Sequence, residues 1–236
     1  MENYVALDLE TTGLSPKNDR ILEIGAVKIE NGKETQRMAT LINPQIKIPE
    51  RITALTGISE EMVKGMPTIG EAILELVEFC EGFVLLGHNI IFDYSFVKQW
   101  AANTGLKFEH QGIDTLKIAR MLLPDLPQKG LQALRVHYEI EQEHAHRAFE
   151  DALVTHKLYQ RLKQEYETSN PELFKPYELV YKVKKQSPVT QRQKRYLQDL
   201  IKYHRIDSNV EIEALTKSEA SRLIDKILSS YGKIME

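Results

Sequence analysis

The sequence predicts an α/β fold followed by a small helical module, and three observations carry this. Three strand-like apolar segments open the chain; short apolar runs then alternate with helical patterns; two capped amphipathic helices close it behind a cluster of breakers.

The first strand is expected over residues 4–10, where Val5, Leu7 and Leu9 alternate with Ala6, Asp8 and Glu10. A second, over 21–30, carries Ile24, Ala26 and Val27. Asn31-Gly32 reads as a hairpin turn, and a third strand over 34–43 stops at Asn43-Pro44. Thr68-x-x-Glu71 is a capping box, opening a helix with Ile69, Ala72, Ile73, Leu76, Val77 and Cys80 at helical spacing. The run 83–87 reads as a buried strand, followed by a turn and a helix opening at Asp93 that buries Phe96, Val97 and Trp100. Asp114-Thr115-Leu116 starts a further helix, which Pro124 and Pro127 end. Helices are expected near 130–138 and 148–166.

Thr168-Ser169-Asn170-Pro171, Pro176 and Ser187-Pro188 are breakers, so the division reads as a body over 1–168, a linker over 169–187 and a helical module over 188–236. In the module, Thr190-x-x-Gln193 leads to Tyr196, Leu197, Leu200 and Ile201, and Thr216-x-x-Glu219 leads to Ala220, Leu223, Ile224 and Ile227. The two stripes are expected to pack as a hairpin around Val210, Ile212 and Leu215.

Composition narrows the class. At 236 residues the chain holds one sizeable domain and a small extra unit. The single cysteine, Cys80, excludes an internal disulfide and fits a reducing compartment. The start Met1-Glu2-Asn3 lacks the pattern of a secretory leader, and no apolar run reaches the roughly 18–20 residues that span a bilayer. A soluble, cytoplasmic protein with no membrane partner is expected. The net charge of −3 is unevenly spread: residues 1–174 sum to −8, whereas 175–205 sum to +7. That basic block is the part best suited to phosphate, although a solvated helix face explains it as well.

Asp8 and Glu10 stand out within the first strand, because side chains two apart share a face. Two adjacent carboxylates repel, and a hard divalent cation between them removes the conflict. From this segment alone a metal site and a solvated edge face fit equally. Gly87-His88-Asn89-Ile90-Ile91-Phe92-Asp93 and His146-Arg147-Ala148-Phe149-Glu150-Asp151 complete a series: Asp-x-Glu, Asp, then His-x4-Asp. Singly each has a plain explanation: Asp93 as a helix cap, Asp151 as a solvated charge, Phe92 and Leu55 as core, His88 as structural. Their joint order is what carries meaning.

In that order the sequence resembles the DEDDh exonucleases, the DnaQ-like family, over about residues 2 to 167. That family includes the epsilon proofreading subunit of bacterial DNA polymerase III and the exonuclease domain of the Gram-positive replicative polymerase. The resemblance implies a ribonuclease H-like fold, a mixed central sheet flanked by helices. It implies that Asp8, Glu10, Asp93 and Asp151 hold two divalent ions, Mg²⁺ or Mn²⁺, and that His146 is the general base. Arg147 stands where the sister branch has tyrosine, which assigns the chain to the His branch. Thr11, Thr12, Gly13 and Leu14 match the segment that packs on the terminal nucleotide. Leu55 and Thr56 lie in Thr53-Ala54-Leu55-Thr56-Gly57-Ile58, with Leu55 matching a wedge against the last base. His88, Asn89 and Phe92 match the second motif, near substrate.

Two metal ions can activate water, neutralise a phosphodiester and stabilise a leaving oxygen, while an imidazole takes the water's proton. The expectation is hydrolysis of 3′-terminal phosphodiesters of DNA, on single strands or frayed ends, releasing 5′-monophosphates in repair or proofreading. The 3′-to-5′ direction comes from the resemblance. Expected partners are single-stranded DNA 3′ ends and a DNA polymerase or other replication or repair protein. A 3′-to-5′ exoribonuclease is the nearer alternative, since the reaction does not need the 2′-hydroxyl; a non-catalytic nucleic-acid or polymerase adaptor is the alternative from another class. The C-terminal pattern resembles a small helical module appended to various bacterial and phage nucleic-acid proteins. Lys184, Lys185, Arg192, Lys194, Arg195, Lys202 and Arg205 are its expected DNA-holding or partner-docking arm.

Overall fold

The structure, a computed structural model, describes residues 2–143, 145–184, 187–207 and 210–234. Lys185 of the expected arm lies outside the described residues.

Three strands come first: β1 (Tyr4–Thr11), β2 (Ile21–Glu30) and β3 (Lys33–Leu41), paired antiparallel. The β2–β3 hairpin closes on Asn31 and Gly32, whose φ values of 52° and 72° are the two left-handed residues a tight two-residue turn requires. Two short helices follow, α1 (Glu50–Thr56) and α2 (Glu60–Val63), which the sequence did not announce. Helix α3 (Ile69–Cys80) begins at the expected capping box, with Glu71 accepting from the Thr68 N–H at 2.7 Å. Next come β4 (Val84–Gly87), α4 (Ile91–Asn103), β5 (Gln111–Asp114), α5 (Thr115–Leu122), α6 (Leu131–His137) and α7 (Ala148–Tyr166). The last strand is β6 (Tyr177–Glu178), and the module is α8 (Gln191–His204) and α9 (Lys217–Tyr231).

The six strands form one mixed sheet in the order β3-β2-β1-β4-β5-β6, with β1–β4 and β4–β5 parallel. Strand β1 is central and covered on both faces. Val5, Leu7 and Leu9 pack into the core under α3 and α4. Tyr4 and Ala6 pack into the core under α5, α6 and α7. Asp8 and Glu10 continue the second face, so they point toward the helix layer that contains α7.

Gly25 lets α7 approach. It pairs with Asp8 in the β1–β2 register, and a Cβ there would lie 2.0 Å from the Ala148 carbonyl carbon and 2.1 Å from the Phe149 nitrogen. The bare glycine therefore seats the first turn of α7 against the sheet beside Asp8.

The stretch expected as a linker is largely built into the body. Tyr177–Glu178 extends the sheet beyond β5, and Phe174 and Leu179 are buried in its two cores. Gln99 of α4, wholly buried, donates to the Lys184 carbonyl and accepts from the Lys184 N–H. Breaker residues mark irregular backbone; they do not report whether that backbone is solvated or docked.

The module forms its own core from Val189, Leu197, Leu200, Leu215, Ala220 and Ile227, with Ile46 of the body packed against it. Both expected capping boxes are made. Among the described residues no helix is long and apolar enough to cross a membrane.

Candidate active site

Strand β1 delivers Asp8 and Glu10, α4 delivers Asp93 from its first turn, and α7 delivers Asp151 from its first turn. Together with His146 these side chains line one open cleft of about 680 Å³. Ligand atoms of Glu10, His146 and Asp151 all lie within 4.8 Å of one another. Asp8 and Asp93 are not part of that triple, but Asp93 is the charge that Asp8 feels most strongly.

Each acid is held by a different device. Asp93 is not the cap of α4, which starts two residues earlier; its Oδ1 accepts from the Leu9 N–H at 3.0 Å, bonding the helix to the strand between Asp8 and Glu10. Asp151 Oδ1 accepts from the side-chain amides of Gln132 (2.9 Å) and Gln142 (2.8 Å), and Oδ2 from the His146 N–H (3.1 Å). His146 has φ +60°, a left-handed backbone that is costly for a branchless but bulky ring and is held by that bond. It does not open α7, whose cap is Arg147.

The electrostatics are unbalanced. Burial, then Asp93, Asp151 and Glu10, push the Asp8 carboxyl well above the usual carboxylate range. Glu10 is pushed up to about 8, by burial first and then by Asp151 and Glu23, against the pull of Arg147. Burial also raises Asp93 and Asp151, opposed by the hydrogen bonds each accepts. Among the described residues, no ion pair includes any of the four. Like charges gathered this way favour the bound form of a cation.

Behind them, Glu23 sits opposite Glu10 on β2 and takes the Arg147 guanidinium through both oxygens, with a closest approach of 2.7 Å. It also accepts from the Ala148 N–H at 3.0 Å. This buried carboxylate fastens the start of α7 and favours its positive end.

His88, Asn89 and Phe92 line the cleft. His88 faces the Lys129 carbonyl with Nε2 and the Thr115 hydroxyl with Nδ1, both at 2.9 Å. A carbonyl only accepts, so Nε2 carries a proton; the Thr115 hydroxyl that meets Nδ1 also donates to the Gly87 carbonyl at 3.2 Å. Burial lowers the pKa of this ring, in keeping with the neutral form. His88 thereby pins the 128–133 segment that forms the opposite cleft wall. Asn89, at φ +73°, is held by Asp114, which accepts its N–H at 3.0 Å and also caps α5.

Other expected contacts lie outside the cleft lining. The Thr11 hydroxyl donates to the Gly13 carbonyl, and the Thr12 hydroxyl accepts from the Arg20 N–H, so both shape the turn after β1. Leu14 projects from that turn 83% exposed. Leu55 is exposed on α1, and the Thr56 hydroxyl is used internally, donating to the Ile52 carbonyl and accepting from the Ile58 N–H. Of the expected arm, Arg192, Arg195, Lys202 and Arg205 are exposed, Lys184 is exposed with its backbone docked, and Lys194 is paired with Glu213. Gln132, Gln142 and the 128–133 wall were missed. Gln132 and Gln142 lie on different segments, and no spacing rule joins them to Asp151.

Acidic side chains gathered at the end of the central strand of a sheet in this order define the class of ribonuclease H-like phosphodiester hydrolases. The sequence profile of the exonuclease family matches residues 5–159. The PolC-type DNA polymerase III of Caldanaerobacter subterraneus is 47% identical over 156 residues, which cover 66% of this chain but 11% of that protein. The epsilon subunit of DNA polymerase III from Aquifex aeolicus is 34% identical over 163 residues, covering 69% of this chain and 81% of the relative. Among solved structures, exonuclease X in complex with 5′-overhanging duplex DNA superposes with a TM-score of 0.57 at 25% identity, covering 72% of this chain and 97% of that one. Escherichia coli exonuclease I with a dT13 oligonucleotide gives a TM-score of 0.64 at 18% identity, over 73% of this chain and 42% of that one, a likeness of fold. The chain belongs to the exonuclease family. It spans only about a tenth of the length of the PolC-type relatives.

Proposed function

We propose that this chain is a divalent-metal-dependent exonuclease that removes nucleotides from the 3′ ends of DNA as 5′-monophosphates, in repair or proofreading. One observation carries the reading: carboxylates from β1, α4 and α7 meet an imidazole in a single open cleft. The names of the relatives, a replicative polymerase and its epsilon subunit, favour DNA over RNA and a polymerase as partner.

The donor set fits hard divalent ions: four carboxylates, buried enough to raise their pKa values, with no competing ammonium or guanidinium paired to them among the described residues. Asp8, Glu10, Asp93 and Asp151 are the residues that would hold such ions, and Mg²⁺ or Mn²⁺ would suit them. Bound there, the metal supplies a Lewis acid and charge neutralisation for the phosphate. The chain's own groups do the rest. His146 accepts the proton of the attacking water, a contribution of about 10²–10⁴-fold. Gln132 and Gln142 fix the carboxylate plane of Asp151, leaving Oδ2 toward His146. Phe92 offers an apolar wall and Asn89 an exposed amide for the terminal nucleotide; Thr11 to Leu14 and Leu55, outside the cleft lining, are proposed to meet it as the strand enters.

The exposed cations Arg192, Arg195, Lys202 and Arg205 of the module are proposed to hold the strand farther from its end. Changing Arg192, Arg195 and Lys202 together to Gln is expected to flatten the salt dependence of single-strand binding, each lost phosphate contact removing about 0.7 from the slope.

The test of the main reading offers 3′-labelled single-stranded DNA, duplex DNA and RNA with Mg²⁺ or Mn²⁺. Wild-type protein is expected to release mononucleotides from DNA, and Asp8→Ala and Asp151→Ala to release none. Full activity in both variants sinks the assignment; faster digestion of RNA moves it to the exoribonuclease.

A further inference from the structure

The turn after β1 is a closed loop. The Thr12 N–H donates to the Arg20 carbonyl and the Arg20 N–H to the Thr12 hydroxyl, both at 2.8 Å, so residues 12 and 20 meet at its neck. Inside, the Ser15 N–H donates to Asp19 Oδ2 at 2.8 Å, and Gly13 leaves room for that carboxylate, which a Cβ would meet at 2.6 Å. The loop starts two residues after Glu10 and carries the exposed Leu14.

Its neck is bolted to the C-terminal module. The Arg20 guanidinium donates from Nη1 to Glu219 Oε1 at 2.7 Å and from Nη2 to Oε2 at 2.8 Å. Arg20 is 4% and Glu219 8% exposed, so this two-pronged pair is shielded from solvent. The same Glu219 oxygen accepts from the Thr216 N–H and hydroxyl, closing the capping box of α9. On its other side Arg20 lies over the Trp100 ring of α4, 5.3 Å from its centre. Arg222 of α9 adds a second bolt by donating to Asn18 Oδ1 of the loop at 2.6 Å.

We propose that the C-terminal module braces the 12–20 loop, with Glu219 acting through Arg20 as a positioning residue for the 3′-terminal nucleotide. The proposal rests on the exonuclease reading of the cleft. It gives α9 a role separate from the basic face of α8: one helix fixes the loop that follows the Glu10 strand end, the other meets the strand. Two helices whose only role was to hold phosphate would not need a buried ion pair to the residue that closes this loop.

Glu219→Gln removes the charge but leaves a residue that still completes a capping box. Thr216→Ala removes the cap and leaves the ion pair. In the full-length protein, Glu219→Gln is expected to raise KM for a 3′-labelled single strand about fivefold or more with kcat within about twofold. Amide hydrogen exchange of residues 12–20 is expected to quicken about tenfold. Thr216→Ala is expected to lower thermal stability and change neither. Unaltered KM and exchange in Glu219→Gln overturn the brace, as do equal changes in both variants, which reduce the contact to general stability. If wild-type protein digests no strand at all, the nuclease reading fails, and exchange at residues 12–20 in Glu219→Gln still decides the brace.

Discussion

Two groups of buried or half-buried acids in this molecule are treated in opposite ways. Glu23 and Glu219 each face a guanidinium through both oxygens and also accept a backbone N–H at a helix start. Asp8, Glu10, Asp93 and Asp151 face one another, with amides but no basic side chain in ion-pair reach among the described residues. Glu10 and Glu23 are even cross-strand partners. The first group is complete in the protein alone; the second is completed only by something positive from outside. On the proposed reading, the difference separates acids that hold the fold from acids that do chemistry.

The comparison breaks most visibly in paired isosteric substitutions. Asp8→Asn is expected to cost activity by on the order of 10³-fold or more, since several kcal/mol of charge stabilisation are lost. Yet in EDTA it is expected to stabilise the protein near pH 7.5. The sign follows from the raised folded-state pKa: the wild-type carboxyl contributes most below its unfolded value and loses that contribution as pH rises. Glu23→Gln, the same change across the strand pair, is expected to destabilise by about 2 kcal/mol, the buried-pair figure being reduced because Arg147 is 37% exposed. Urea unfolding with and without Mg²⁺ reads both; shifts of the same sign erase the distinction.

Gly25→Ala tests how the two groups are brought side by side. The backbone contacts at 2.0–2.1 Å cannot yield like a flexible side chain, so the start of α7 must move. A loss of about 3 kcal/mol is expected, together with most of the metal-dependent activity. A variant of normal stability and activity shows that α7 has room after all.

A smaller effect checks that burial, as the leading cause, raises pKa in regions with no catalytic task. Burial pushes the Cys80 thiol up from 9.0 to about 12 and the Tyr159 hydroxyl from 10.0 to about 12. Both stay protonated in the fold while the unfolded chain ionises, so stability is intact below pH 9 and falls as pH rises toward 12, by up to about 1.4 kcal/mol per unit per group. Cys80→Ala is expected to make that fall shallower by close to one proton; an identical slope removes Cys80 from the account.

Periodicity located β1, β2 and β3 within two residues at each end, and capping boxes found α3, α8 and α9, because these signals act within one or two turns of chain. The elements that escaped are short. Helices α1 and α2, and strands β5 and β6, span two to seven residues and are held by packing on the sheet, with little local pattern to mark them. The four acids and His146 were legible because their residue types recur in a fixed order. Their supports were not: Gln132 and Gln142 meet Asp151, and Glu219 meets Arg20 across 199 residues, only after the sheet and helices have closed.

Asp8 and Glu10 were bound to share a face, since strand geometry is set by the backbone at each residue. Sequence determined that, the capped helices and the order of the acidic series. Tertiary structure alone decided that Asp93 bonds to Leu9, that a glycine's missing Cβ admits α7, that the expected linker extends the sheet, and that the module grips the loop beside the cleft. Hydrogen bonds, ion pairs and close approach act over a few ångströms, and only the folded chain sets which distant residues come that near.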